Sequence, residues 1–488
     1  MSGYLELLRL TAPEIVVALT GLLVLVLDLS FLRRAALAVR FRWAAGAACG
    51  GCVIALVVLE RTSASGMLPD GMLVVNPLTQ LMQAWLLVLA ILVLLLMDSA
   101  RFTTHAGEYC ALIVFATTAM MLLVSTQNLL VIFITIEFLS LSLYVLTAFD
   151  KGSRQSAEAG LKYFLFGGMS AGLLLFGMSL LYGLSGSLAL APIAAAIESS
   201  PADPLFSIAM VMVLAGFGFK VAAAPFHMWA PEVYQGAPTA SAALVASSSK
   251  VASFFALFVL FAVGLAGAAG SAAWGNYSIG WAPLIALVAM VSMLWGNLAA
   301  IAQNSVRRLL AYSAIGHAGY MLIAVVVHTR QSLVALVYYV ITYALASLGA
   351  FGVLCALERE KVDSIADFRG LGKRSPDLAF CLLIFLLSLA GIPPLAGFFG
   401  KFYVFVSAVH GLLWLVLLAL AMSVVSFYYY LKILKQVYVC DPLSGAAIHP
   451  EWTTRVALWA MAALVVILGC SPGVLLDRIA VAAGALLR

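Results

Sequence analysis

Apolar residues run along this chain in long uninterrupted blocks. They show neither the one-sided stripe of an amphipathic helix nor the alternation of a half-buried strand. About fourteen blocks reach bilayer-spanning length, roughly 20 residues as a helix. Their centres lie near Leu22, Cys52, Leu87, Phe115, Phe138, Leu173, Gly218, Val251, Met290, Gly319, Tyr343, Gly391, Ala421 and Ala463. The alternating short segments of a membrane barrel do not appear. The pattern predicts an all-α polytopic membrane protein. The seventh and twelfth blocks are long and carry Pro or Gly near their middles, which predicts broken helices there. The first block, Ile15 to Leu29, follows Glu6, Arg9 and Glu14, with no basic n-region and no clear small-residue cleavage site, so it reads as a retained span.

Composition agrees. Of 488 residues, 64% are hydrophobic and 10% charged, against about a quarter charged in a soluble domain. Mean hydropathy is +1.11. The net charge of +5 is therefore a matter of loop placement rather than a nucleic-acid signal. Loops after odd-numbered blocks hold Arg33, Arg34, Arg40, Arg42, Arg101, Lys151, Arg154, Arg307, Arg308, Arg359, Lys361, Arg369, Lys373, Arg374, Lys432, Lys435 and Arg455, seventeen of the 26 basic residues. The opposite side, with both termini, holds Arg9, Arg61, Arg330, Arg478 and Arg488. Basic residues favour the cytoplasm, so both termini are expected outside; an even number of spans agrees, since it puts both termini on one side. Seven cysteines are present, and Cys49 and Cys52 form a C-x-x-C. With no second pair and no nearby histidine, packing is the better reading than a metal or redox site.

The remaining basic residues, Lys162, Lys220, Lys250 and Lys401, fall inside predicted spans, as does Glu137. A charge at mid-bilayer costs about 3 kcal/mol or more and normally faces the protein interior with a partner. Lys162 lies near a helix start, where it can snorkel. Lys220 and Lys250 have long apolar flanks, which favours function over a purely structural ion pair. Glu137, in "LLVIFITIEFLSLSLYVL", has no basic neighbour in sequence, so its partner comes from another helix. A close Glu–Lys pair holds both groups ionised, and separating it releases the lysine's proton.

Helix breaks lie beside these charges. Pro225 follows Lys220 closely, and Pro393 and Pro394 precede Lys401. Backbone groups freed by proline in lipid need water or polar side chains, so each break beside a lysine predicts a hydrated pocket; a simple packing kink is the blander alternative. His227 and His317 are candidate relays, though a lone buried His is commonly a core hydrogen-bonding group. Tyr312, Ser313, Tyr343 and Ser247 to Ser249 are placed to hold water between stations. "AGFGFK" (215–220) is echoed by "AGFFGK" (396–401) at an offset of 181, and the same offset takes Glu137 beside His317 and Lys250 beside Lys432. This suggests two five-helix halves that, five being odd, have inverted orientations. The expected organisation is a three-helix segment over 1–105, repeats over 106–268 and 269–440, and a last helix in 441–488.

The stretch "FKVAAAPFHMWAPEVYQGAPTASAALVASSSKVA", with "GEYCALIVF", "NSVRRLLAYSAIGHAGYML" and "LSLAGIPPLAGFFGKFYVF", resembles the antiporter-like membrane subunits of respiratory complex I. Within that family it is most similar to the bacterial subunit N branch, related to mitochondrial chain 2. The resemblance covers nearly the whole chain. It implies a proton-translocating module in the bacterial inner membrane, with Glu137 paired to Lys220, Lys162 modulating that pair, Lys250 as central relay and Lys401 near the outer exit. It implies neighbours of the subunit M and subunit K type. No cofactor is expected in this chain, while FMN, iron–sulfur clusters and quinone are expected in partner subunits. A glutamate commonly stands at the position of Lys401 in subunit M, and subunit L carries a lateral amphipathic helix for which this chain has no room. The second half lacks a lysine matching Lys250, which leaves His317, water or hydroxyls to serve there. The rival readings are a subunit of a multisubunit Na⁺/H⁺ antiporter and a structural membrane scaffold.

Overall fold

A computed structural model of the chain describes residues 2–61, 65–99, 102–199, 204–360, 362–442 and 446–484. Arg101, Lys361 and Arg488, counted above among the loop and terminal charges, lie outside them. The described residues are overwhelmingly helical, with only two short hairpins, Gly66–Met67 with Val74–Val75 and Ser271–Ala273 with Asn276–Ser278. Among the described residues twelve helices are long and apolar enough to cross a bilayer. The predicted seventh and twelfth spans are each built from two shorter pieces, Pro204–Lys220 with Trp229–Gly236 and Pro376–Ala390 with Ala396–Ala408.

The breaks have local causes. Pro225, without an N–H, cannot continue the helix that ends at Lys220, and the chain turns through Ala222 at φ 58°. Before Pro393, Gly391 takes φ 88° and closes the helix Pro376–Ala390, a conformation glycine adopts without steric cost. A third interruption was not foreseen. The predicted eighth span divides at Ser247 (φ −114°, ψ −85°) into Thr239–Ala246 and Ser248–Val259. Ser247 Oγ donates to the Ala243 carbonyl at 2.6 Å, the back-bonding that bends helices at serine.

Polarity sets position. Thr239–Gly264, Val306–Val327 and Arg330–Ala356, which carry Lys250, His317 and Tyr343, are buried almost throughout. Ala12–Phe31, Arg154–Ser185 and Leu413–Tyr438 turn large apolar side chains such as Leu19, Phe176 and Leu417 outward. The site thus lies in the central helices, with lipid-compatible helices around it.

Two further points depart from the sequence reading. The segment 441–488, expected to hold one helix, holds Trp452–Cys470 and then Gly473–Ala483, divided at Ser471 and Pro472. Glu14, expected ahead of the first span, lies inside the helix Ala12–Phe31 and is buried.

The stretches expected to form the two repeats share one detail. The Leu129 N–H donates to the Leu188 carbonyl at 2.8 Å and the Leu190 N–H to the Gln127 carbonyl at 3.0 Å. In the second half the Val306 N–H donates to the Asp363 carbonyl and the Ile365 N–H to the Asn304 carbonyl, both at 2.8 Å. Each two-bond bridge sits where a helix starts, capped by Asn128 in one case and Ser305 in the other. These helix starts are 177 residues apart (129 to 306), not the 181 of the sequence echo. Accordingly Lys220 is the last residue before its break, while Lys401 lies in the helix after its own.

Candidate functional site

Lys220 is buried at the end of its helix, and its Nζ donates to Ser140 Oγ at 2.8 Å. Ser140 is one turn beyond Glu137 on the helix Leu129–Thr147, and its hydroxyl donates to the Ile136 carbonyl at 2.6 Å. Glu137 is half-buried on the flank of that helix, beside exposed Ile134, Phe138 and Leu141. Its carboxylate forms no hydrogen bond or ion pair among the described residues, although Lys220 is near enough to act on it electrostatically. The expected partners are therefore neighbours held apart, with the ammonium handed to a serine.

Lys250, His317 and Lys401 form a file through the core. Lys250 is 1% exposed. Its Nζ donates to the Ala314 carbonyl at 3.0 Å and lies 5.8 Å from the centre of the Tyr343 ring. Tyr343 in turn is 5.0 Å, centre to centre, from the His317 imidazole, and Tyr320 is 5.7 Å from it on another side. Lys401 Nζ lies 5.1 Å from the centre of the Tyr320 ring and donates to the Ala390 carbonyl and Ser423 Oγ, both at 3.0 Å. Aromatic faces and carbonyl oxygens thus solvate two buried ammonium groups. A pocket of about 300 Å³ reaches Lys401, Ser423 and Gly391.

The imidazole is held at both nitrogens, by the Tyr339 hydroxyl at 2.7 Å from Nδ1 and the Tyr430 hydroxyl at 3.3 Å from Nε2. Tyr430 also bonds Ser313 Oγ. A second chain runs alongside, in which Asn297 Nδ2 donates to the Tyr320 hydroxyl and the Tyr429 hydroxyl donates to Asn297 Oδ1, both at 3.1 Å. These hydroxyls and imidazole nitrogens can pass a proton by exchanging donor and acceptor roles.

Other expected residues stand apart. Lys162 binds Glu158 at 2.7 Å and Glu232 at 3.1 Å, so it pairs with its own helix and with Trp229–Gly236 rather than approaching Glu137. Glu232 also binds Arg308 at 3.1 Å. His227 is buried near Trp295, with Nδ1 unpartnered and no bond into the file. Tyr312 is half-buried and makes no side-chain hydrogen bond among the described residues. No side-chain hydrogen bond joins Lys220 to Lys250 among the described residues, although their helices pack together. The hydroxyls of Tyr234, on Trp229–Gly236, and of Ser248, on the helix of Lys250, are buried and have no hydrogen-bond partner among the described residues.

Tyr320, Tyr339, Tyr429, Tyr430 and Asn297 were not singled out from the sequence. Asn297 inside an apolar block and the run Tyr428 to Tyr430 were the available signals, since a polar group in a membrane helix needs a partner.

Residues 126–426 match the family described as NADH:quinone oxidoreductase/Mrp antiporter, transmembrane. The chain is 55% identical to NADH-quinone oxidoreductase subunit N 2 of Acidobacterium capsulatum, over 97% of this chain and 98% of that protein. A chain of respiratory complex I from Thermus thermophilus is 33% identical, with a TM-score of 0.79 over 96% of this chain and 99% of that one. A chain of the Mrp complex from Dietzia sp. shares the fold at 20% identity, with a TM-score of 0.82 over 98% and 97% of the two chains.

Proposed function

Because the chain belongs to the NADH:quinone oxidoreductase/Mrp antiporter transmembrane family, we propose that it is the subunit N-type, proton-translocating membrane subunit of an NADH:quinone oxidoreductase. The observation that carries this reading is the file of Lys250, Tyr343, His317, Tyr320 and Lys401, buried and free of any carboxylate partner among the described residues.

In this reading Glu137 and Lys220 form the switch. When Glu137 closes on Lys220, the opposite charges keep the lysine protonated; when they part, as with Lys220 on Ser140, burial favours the neutral amine and the proton moves on. Hydration beside the unpartnered Tyr234 and Ser248 hydroxyls carries it to Lys250. From there His317 and its tyrosines pass it to Lys401 and the adjoining pocket. Glu137, at the chain's margin, is placed where a neighbouring subunit's charge can act on it. Lys162 acts only indirectly, through Glu232 and the second half of the broken helix.

FMN, iron–sulfur clusters and quinone are assigned to partner subunits, for no glycine-rich nucleotide loop follows a strand in this sequence. The family resemblance assigns the neighbours as subunits of the M and K type, and the loop-charge bias assigns the termini to the periplasmic side. The high identity to a subunit N relative favours this reading over a Na⁺/H⁺ antiporter subunit, for which the likeness is one of fold.

The test replaces Lys250 with Ala in the assembled complex and measures protons translocated per NADH oxidised. The expected result is intact assembly and transfer through this subunit slowed about tenfold or more, each 1.4 kcal/mol or so on the barrier being a factor of ten. Unchanged proton yield in an assembled variant would falsify the proposal.

A further inference from the structure

The helix Ala12–Phe31 buries two carboxyl groups and treats them differently. Asp28 accepts from Arg40 Nε at 2.7 Å, Arg40 Nη2 at 2.6 Å and the Gly107 N–H at 3.0 Å. Both its oxygens are engaged and its charge is matched. Glu14 is 3% exposed. One oxygen, Oε1, accepts from Gln83 Nε2 at 2.5 Å, and the other has no partner.

The surroundings of Glu14 are neutral. Gln83, itself buried, reaches Ser125 Oγ at 2.8 Å and the Met121 carbonyl at 3.5 Å. Glu6 and Arg9 on the preceding helix are exposed. Cys49 on the helix Leu37–Arg61 turns to the Ile91 carbonyl, and Glu108 on Ala106–Val124 pairs with His105. Of Glu6, Arg9, Cys49, Glu108 and the buried thiols Cys52 and Cys110, none forms a hydrogen bond or ion pair with Glu14 among the described residues. An ionised carboxylate here would hold one hydrogen bond, from Gln83, and no matching positive charge, and adding a proton removes that uncompensated charge. A metal cation fits poorly, because the nearest polar group presents an N–H donor and there is a single carboxylate to bind it.

We propose that Glu14 is a proton-binding site, closed by Gln83 and Ser125 and separate from the lysine–histidine file. It lies ahead of the family-matched stretch 126–426. The Ser125 carbonyl accepts from the Val74 N–H at 2.7 Å, which ties the site to the hairpin Gly66–Met67/Val74–Val75. The ion pair of Asp28 and Arg40 is its structural counterpart on the same helix.

The test uses the intact complex in membranes and compares infrared spectra of wild type and Glu14→Gln. The variant is expected to assemble and to pump as wild type does, since Glu14 stands outside the file, and to lose a carbonyl band of an un-ionised carboxylic acid. Loss of an ionised carboxylate band instead overturns the proposal. Should the variant not assemble, the unaltered complex is treated with dicyclohexylcarbodiimide, which reacts with protonated buried carboxyls, and its peptides are mapped by mass. Modification at Glu14 that fades as pH rises supports the site; an unmodified Glu14 at every pH counts against it.

Discussion

At the residue scale, the site shows how a buried ammonium group is kept without a counter-ion. Lys250 and Lys401 use backbone carbonyls, one serine and two tyrosine faces. The imidazole between them is bonded on both sides, so the hydroxyl of Tyr430 is a link whose loss can be read alone. Tyr430→Phe should cut proton translocation about tenfold while the complex stays assembled. Tyr338→Phe, which removes a bond to the Leu468 carbonyl outside the file, should cost about 1 kcal/mol of stability and leave translocation unchanged. Equal effects in a proton-pumping assay would remove Tyr430 from the path. The lysines, Glu137 and His317 were legible in the sequence because an ionisable residue in an apolar block stands out. Tyr320, Tyr339 and Tyr429 were not, because a tyrosine in a membrane helix reads equally well as packing until its hydroxyl partner is known.

At the element scale, three interrupted helices place the chemistry, and two of them were legible from proline. The break at Ser247 was not, since serine bends a helix only when its hydroxyl turns back to the preceding carbonyl. The pairing of Glu137 with Lys220 was expected, yet Lys220 bonds Ser140, a choice of rotamer that spacing along a chain cannot specify. Gly391 ties backbone to chemistry. A Cβ there would sit 3.2 Å from Lys401 Cδ, on a residue with φ of +88°. Gly391→Ala should therefore cost about 1–3 kcal/mol of backbone strain, displace Lys401 and lower proton yield, measured by thermal denaturation and pumping in parallel; a stable variant with normal yield would contradict this.

The loop before the twelfth helix offers a pH test. Partial burial works to raise Asp367, but the amide hydrogens of Asp363 and Ser364, at 3.1 and 2.8 Å, outweigh it and hold the carboxyl below its usual range. A depressed carboxyl stabilises the loop fully above its unfolded value, and that contribution is lost as pH falls through the folded one. Protection of the Ile365 and Val306 amides, whose N–H groups close the second bridge, should fall on acidification through the carboxylate range once each hydrogen-exchange rate is divided into the intrinsic rate at that pH. Asp367→Asn should remove that dependence, and a variant that keeps it would assign the effect elsewhere.

At the scale of the whole molecule, the membrane character and the order of helices followed from long apolar blocks, which outweigh every other signal in such a chain. The relation between the halves was read at an offset of 181 from a lysine-bearing hexapeptide, whereas the backbone bridges repeat at 177. Among the described residues no carboxylate pairs with Lys250 or Lys401, and this reaches beyond proton transfer. A sodium ion arriving in this file meets resident positive charge and no anionic ligand to replace its water, so electrostatic exclusion acts on it at each station. A proton differs, because a neutral amine takes it up by forming a bond, whereas that amine offers sodium no anionic oxygen. Replacing sodium in the medium by choline should therefore leave the pumping rate of the assembled complex unchanged, and a rate that tracked sodium would mean that the interior selects its ions by some means other than charge.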